Sequence, residues 1–399
     1  MLDELAWLYN LRGSDIDFNP VFTGFGLVGE NECYLFVDDN KLPQKLSSKL
    51  QNEGIILKDY TGFYAFLKEV KNKNVFLDES TANYSIFSLL NDANEIVSGT
   101  SILAKLKALK NKTELDGFKN AMRKDGVALV EFHAWLKENV GKSEISEFVI
   151  GRKLADYRSK QKDFKGESFP PIVGYKQHGA IVHLSVGEED ALPVDDEGIL
   201  LFDSGGQYLD GTTDITRTVA LGKITEQQKH DYTLVLKGMI ALTNAKFPYG
   251  TKGCHLDILA RKPLWENGLN YGHGTGHGVG HFLNVHEGPF AIRQEYNENL
   301  IEPGMVMSNE PAFYRKGEYG IRTENMMVCV EGEKTEFGRF LEFETLTLCP
   351  IDTTLIDLKL MTLEEISWLN SYHKKVNAEL KPLLIKELHG FLDELTKEI

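Results

Sequence analysis

Apolar and polar positions alternate in short runs over the first hundred residues and lengthen into helical periods after them. Val21–Val28 and Glu32–Val37 are apolar runs separated by Gly29-Glu30-Asn31, the pattern of a hairpin. Leu42–Gln51 and Thr61–Lys71 carry apolar residues at helical spacing, while Ile55–Leu57, Asn74–Leu77 and Asn94–Val97 read as strands. Ser80-Thr81-Ala82-Asn83 supplies a helix start. Strands and helices in alternation predict an α/β layer over residues 1–105. From residue 106 the texture changes. The basic stretch Ala104–Lys112 leads into a long helical pattern from Thr113 to Val140, and a second helix is predicted from Ser143 to Lys160. Strand-like runs follow at Pro171–Gly174, Gly179–Leu184 and Ile199–Phe202, then helices at 224–246 and 253–267, with two more at 362–376 and 380–397 closing the chain. The pattern over 106–399 predicts an α+β architecture in which helices cover strands on one face.

A chain of 399 residues exceeds one ordinary hydrophobic core, which agrees with two domains. Its net charge of −15 argues against nucleic acid or an anionic membrane as partner. The four cysteines, Cys33, Cys254, Cys329 and Cys349, are scattered without a CxxC spacing and read as reduced core residues of a reducing, cytoplasmic compartment. No run of 18 apolar residues is present to span a membrane. The opening MLDELAWLYN has early acids and no basic start, so it does not read as a secretory signal.

The candidate chemistry lies in three segments of the C-terminal half. Asp203 and Asp214 flank the turn signal Asp210-Gly211, and Glu310 and Glu324 stand seven residues either side of Gly317. If each segment is a hairpin, its two carboxylates come together. Acids are common in this chain, and Asp195, Asp196, Asp210 and Glu318 read as solvated surface. Four carboxylates at one point, however, need a compensating cation, because even two close carboxylates push one pKa up sharply. A pair of divalent ions removes the conflict and makes a hydrolytic site. Between the acidic segments, His273, His277 and His281 recur every four residues as on a helix, but Gly272, Gly274, Gly276, Gly278 and Gly280 interleave them. At about 1 kcal/mol per glycine a helix is excluded, and an extended backbone that approaches something closely is expected instead. With His286 and the upstream His183, these make five of the eleven histidines, a clustering that favours function.

HGAIVH (178–183), the DSG…DITRT run (203–218), GHGTGHGVGHFLNVHEGP (272–289) and NEPAFYRKGEYGIRTEN (309–325) together resemble the pita-bread-fold metallopeptidase family, and within it the aminopeptidase P branch in its eukaryotic cytosolic form. LAWLYNLRGSDIDFNPVF resembles the start of that branch's second domain, so the likeness spans the whole chain while lacking the branch's first domain. The resemblance implies a catalytic pita-bread domain over 106–399 behind a smaller, creatinase-like, non-catalytic domain over 1–105. It implies removal of the N-terminal residue from peptides with proline second, and it admits a homodimer. Asp214 and Glu324 would bridge two divalent ions, Asp203 would complete one shell, and His277 and Glu310 the other. A carboxylate-rich donor set with one imidazole makes Mn²⁺ the first choice and Zn²⁺ the second. Glu310 would be the general base, and His183, His273 and His286 would bind substrate or the developing oxyanion. Arg322 is expected to face away from Glu324, supporting the site or reading substrate at a distance. Tyr314 and Arg217 are secondary candidates, with a structural role favoured, and His281 carries no assigned role. The competing readings are a prolidase-type Xaa-Pro dipeptidase, a catalytically inactive peptide-binding module of the same fold, and a structural protein with merely acidic surfaces.

Overall fold

The computed structural model describes residues 1–142 and 144–399. They pack as two compact units, Met1–Lys107 and Ala108–Ile399. In the first, Phe25–Val28 and Cys33–Val37 pair antiparallel, their turn closed by the Gly29 N–H donating to the Glu32 carbonyl at 2.8 Å. Ile55–Asp59 lies parallel beside Cys33–Val37. A parallel neighbour needs a crossover, and the helix Gln44–Asn52 supplies it. Asn74–Leu77 and Glu95–Ser98 form a second parallel pair joined through the helix Tyr84–Asn91, whose start is set by the Asn83 side chain accepting from the Ile86 N–H. The helix expected over Thr61–Lys71 is shorter. Asp59 caps a 3₁₀ turn at Tyr60–Gly62, and only Phe63–Leu67 is α-helical. Phe36, Phe63, Leu67 and Leu90 form the buried core of this unit.

The second unit opens with the helix Lys112–Asn139, started by a capping box in which Asn111 and Glu114 each satisfy the other's backbone N–H. The next helix is Glu147–Ser159, capped by Ser146; Ser143, where the sequence pattern starts it, lies outside the described residues. Ile199–Ser204 is the middle strand between Ile172–Tyr175 and Ile215–Ala220. A six-stranded sheet runs in the order Phe247–Pro248, Gly338–Thr345, Asn325–Thr335, Val306–Asn309, Gly276–Gly278, Glu287–Ile292. The helices Glu226–Thr243 and Leu363–Leu380 bury Tyr232, Val235, Met239, Leu369 and Val376 in one core with Val306, Met326 and Val328 of that sheet.

Three expectations are corrected. Gly179–Leu184 is not a strand. The backbone turns at Lys176 with a left-handed φ of 49° and coils through Lys176–Ala180, closed by the Ile181 N–H on the His178 carbonyl. The last helix is broken into 3₁₀ turns at Lys381–Leu383 and Lys386–Leu388 before His389–Leu395, since Pro382 has no N–H to continue the ladder. Of the four free cysteines only Cys329 and Cys349 are buried, whereas Cys33 begins a strand and Cys254 a helix, and both are half-exposed.

Candidate metal centre

Asp203 and Asp214 come from one hairpin. Ile199–Ser204 and Ile215–Ala220 pair so that Asp203 stands opposite Thr216, and the same register continues through Gly206–Tyr208 and Gly211–Thr212 to the turn at Leu209-Asp210. Asp214 lies two residues before Thr216 and so shares the face of Asp203. The ladder bends at Gly205, where a Cβ would lie 1.9 Å from the Thr213 carbonyl oxygen, so only glycine fits.

Glu310 and Glu324 come from a second. Asn309 pairs with Asn325 and Ala312 with Arg322, so one register runs through two successive ladders and sets Glu310 opposite Glu324. Between these ladders the strands separate. The Glu310 N–H donates to the Thr275 carbonyl at 2.8 Å, and the Glu324 N–H to the Thr216 carbonyl at 3.1 Å. These two bonds tie the glutamate strands to the histidine segment on one side and to the aspartate hairpin on the other. Segments far apart in sequence thereby converge on rigid strands.

The histidine segment is extended, as its glycines require. His277 lies on Gly276–Gly278, opposite Ala291, with a bulge in the facing strand immediately after. At Gly276 a Cβ would stand 2.1 Å from the Ser308 carbonyl oxygen, which is the close approach the glycine permits. The His277 ring is oriented by Nδ1 donating to the Gly278 carbonyl at 2.9 Å. In the neutral ring that bond fixes the tautomer and leaves the Nε2 lone pair facing Asp214 Oδ2 and Glu310 Oε1, each at 3.4 Å.

Ligand atoms of Asp214, His277 and Glu324 all lie within 4.8 Å of one another. Glu310 joins them through His277, and Asp203 joins through Arg322 and Thr216: Arg322 Nη2 donates to Asp203, its Nε to Thr216 Oγ1 at 3.0 Å, and Thr216 Oγ1 to Glu324 Oε2 at 2.8 Å. Burial pushes the Glu310 carboxyl up to about 7, with Asp214 and Asp203 adding to the rise and His277 and Arg322 opposing it. Burial likewise raises Asp203 and carries Glu324 well above the carboxylate range. Asp203 Oδ1 and Glu324 Oε1 are buried without a hydrogen-bond partner. Buried carboxylate oxygens left unpaired, beside an imidazole nitrogen aimed at two more, form a donor set that a divalent cation would satisfy.

Around this centre the remaining candidates separate. Arg322 does not face away. Residues two apart on a strand share a face, so Arg322 points with Glu324 into the site and holds Asp203. Tyr314, read from sequence as structural, is part of the same network, accepting from Arg322 Nη1 and bonded to His273 Nε2 at 2.9 Å. Because His273 Nδ1 donates to the Gly274 carbonyl, Nε2 accepts from Tyr314, and both ring nitrogens are engaged. Burial, then the charges of Arg322, Arg261 and His183, holds His273 down at about 4, so its ring is neutral. His286 sets its ring edge-on to His277, with centroids 4.3 Å apart. His183 is exposed, within electrostatic reach of His273 and His286. His281 sets its ring edge-on to Phe118. Arg217 is fully buried and donates to the Glu324, Cys349 and Pro350 carbonyls, a structural role. Thr216 escaped the sequence reading; its place opposite Asp203 was its one available signal.

The chain is similar to known proteins over its full length. Residues 116–331 match the model of metallopeptidase family M24, 1–114 the creatinase/prolidase N-terminal domain and 339–399 the C-terminal region of peptidase M24. It is 40% identical to aminopeptidase P1 of Lotus japonicus, over 96% of this chain and 68% of that protein. It is 43% identical to a probable Xaa-Pro aminopeptidase P of Sclerotinia sclerotiorum, over 96% of this chain and 66% of that one. The crystal structure of X-prolyl aminopeptidase from Caenorhabditis elegans, described as a cytosolic enzyme with a di-nuclear active site, superposes with a TM-score of 0.95 at 36% identity, covering all of this chain and 67% of its own. Prolidase from Pyrococcus furiosus, 22% identical with a TM-score of 0.66 over 86% of this chain and 94% of its own, shares the fold. The chain spans about two thirds of the length of the aminopeptidase P relatives it matches.

Proposed function

The chain belongs to metallopeptidase family M24, a pita-bread domain behind a creatinase/prolidase-type N-terminal domain, and from that premise we propose that it is a metal-dependent aminopeptidase releasing the first residue of peptides with proline in second position. The observation that carries this reading is the convergence of four carboxylates and one oriented imidazole on rigid strands, in a chain so close to the aminopeptidase P relatives. Asp203, Asp214, His277, Glu310 and Glu324 would hold two divalent ions, which when bound supply Lewis acidity and lower the pKa of water. Mn²⁺ suits four carboxylates better than Zn²⁺ does, and is the proposed metal.

Glu310 is the general base of this proposal. Its carboxyl is held near neutrality by burial, and it faces the centre from a strand end whose backbone is pinned to Thr275. His286 and His183, both exposed, would donate to the peptide carbonyl and to the leaving proline nitrogen in this reading. His273, with both nitrogens engaged, orients Tyr314 and through it Arg322. Arg322 reads the substrate only from behind Asp203. An Xaa-Pro bond is a tertiary amide without an N–H, so its recognition depends on such donors to the carbonyl and not on acceptance from the peptide nitrogen.

A cytoplasmic location and a dimer belong to the same proposal. For the location, the support is that all four cysteines are free, as a reducing compartment keeps them. The deciding assay strips the protein of metal and follows an Xaa-Pro-Pro peptide before and after Mn²⁺ or Zn²⁺ is restored. Metal-dependent release of the first residue alone is expected, fastest with Mn²⁺. Cleavage confined to an Xaa-Pro dipeptide would make the protein a prolidase instead, and no cleavage of either substrate by metal-loaded protein would overturn the reading.

A further inference from the structure

The segment Gly272–Gly280 carries His273 and His277, yet five of its nine residues are glycine. Such a chain has little preferred shape, because glycine loses more freedom on ordering than any other residue. The shape must be imposed from outside. Two side chains of the helix Gly253–Trp265 are built to impose it. Arg261, 1% exposed, donates from Nη1 to the Tyr271 carbonyl and from Nη2 to the His273 carbonyl, each at 2.7 Å. Its Nε is held by Asp257, one helical turn earlier and also 1% exposed. The other Asp257 oxygen accepts from Thr275 Oγ1 at 2.6 Å, and the Thr275 carbonyl in turn accepts the Glu310 N–H at 2.8 Å. The Arg261 guanidinium lies 3.9 Å over the Tyr271 ring, whose hydroxyl meets Thr275 Oγ1. One buried ion pair thus grips the backbone on both sides of Gly272 and, through Thr275, the strand end that carries Glu310.

We infer that Asp257 and Arg261 are positioning residues of the active site: the guanidinium fork and its carboxylate set the shape of the glycine-rich segment and the placement of His273 and Glu310. The inference rests on the peptidase reading above for its kinetic consequence, and on the geometry alone for its structural one. Neither residue touches the candidate metal ligands through its side chain. The two carbonyls are spanned by a rigid planar fork, which lysine, a single point of charge on a flexible stem, does not reproduce. A tether that served only stability would lower the melting temperature and leave turnover per folded molecule unchanged.

The test is Arg261→Lys, with Thr275→Val as a second variant that removes the Thr275 Oγ1 links to Asp257 and Tyr271 and is used alone if Arg261→Lys does not fold. Amide hydrogen exchange is measured on the metal-stripped proteins, and kcat, KM and bound Mn²⁺ on the loaded ones. Exchange across residues 272–280 is expected to rise by about tenfold or more while the helix 253–265 stays protected. With metal content unchanged, kcat should fall by about 10- to 100-fold, and KM should move by less than about threefold. Unchanged exchange in that segment overturns the inference, as does a kcat loss that only follows lost metal or lost folded protein. If wild-type protein cleaves no Xaa-Pro peptide, the proposed function has failed and the exchange result alone decides the positioning role.

Discussion

At Glu310 burial and neighbouring charges pull one carboxyl in both directions. Desolvation dominates, Asp214 and Asp203 raise it further, His277 and Arg322 draw it down, and the group settles near 7. Replacing it by glutamine keeps the volume and the acceptor for Ser308 Oγ, 3.3 Å away, but removes the base and a ligand charge. Glu310→Gln should lower kcat on an Xaa-Pro-Pro peptide by about 10²- to 10⁴-fold with the near-ultraviolet circular dichroism unchanged; wild-type turnover in that variant would remove Glu310 from the mechanism. Residue identity made the five candidate ligands legible, since Asp, Glu and His beside glycine-rich turns are unusual in concert. It did not make their supports legible. Thr216, Tyr314, Asp257 and Arg261 are ordinary residues until a neighbouring strand or helix is placed against them. Arg322 departs from its expected outward orientation because residues two apart on a strand share a face, which sets it beside Glu324 and onto Asp203.

At the scale of elements, each acidic pair is delivered by a single register. Asp203 stands opposite Thr216 in one hairpin, and the register shared by Asn309–Asn325 and Ala312–Arg322 brings Glu310 to Glu324 in the other. Those pairings follow from turn signals and period-two alternation, which is why the sequence spacing anticipated them. The third element, the histidine strand, depends on a backbone contact that no pattern encodes. Gly276 lies so close to the Ser308 carbonyl that any side chain must push the strands apart. Gly276→Ala should cost about 1–3 kcal/mol in urea unfolding and displace His277 enough to lower bound Mn²⁺. Wild-type stability together with full metal content would show that the strands relax without consequence. The segment Gly179–Leu184 failed as a predicted strand for a related reason: its apolar run is short, and a left-handed Lys176 coils the chain before pairing begins.

For the whole molecule, the cluster links metal, charge and stability. Burial alone would lower His277, but Asp214 and Glu310 more than reverse this and raise it from 6.5 to about 9. A folded-state pKa above the unfolded one means that the folded protein holds a proton the unfolded chain releases, so this stability is complete below 6.5 and is lost as pH rises through 9. The raised pKa of Glu324 acts with the same sign. A metal on Nε2 displaces the proton and removes the dependence. The melting temperature of metal-stripped protein should therefore fall between pH 7 and pH 9, while Mn²⁺-loaded protein melts higher and nearly level over that range; parallel falls in both would show that His277 is not a ligand. Most helical and strand periods, the glycine-enforced extension of the histidine segment and the residue types of the centre are legible in the chain itself, because they follow from local sterics and side-chain chemistry; the coil at Lys176–Ala180 and the broken last helix are not. Packing settles which strand Gly276 approaches, which oxygens of Asp203 and Glu324 stay unpaired, and which distant helix grips the glycine-rich segment. Those are contacts between segments far apart in the chain, and their geometry exists only once the strands and helices have packed together.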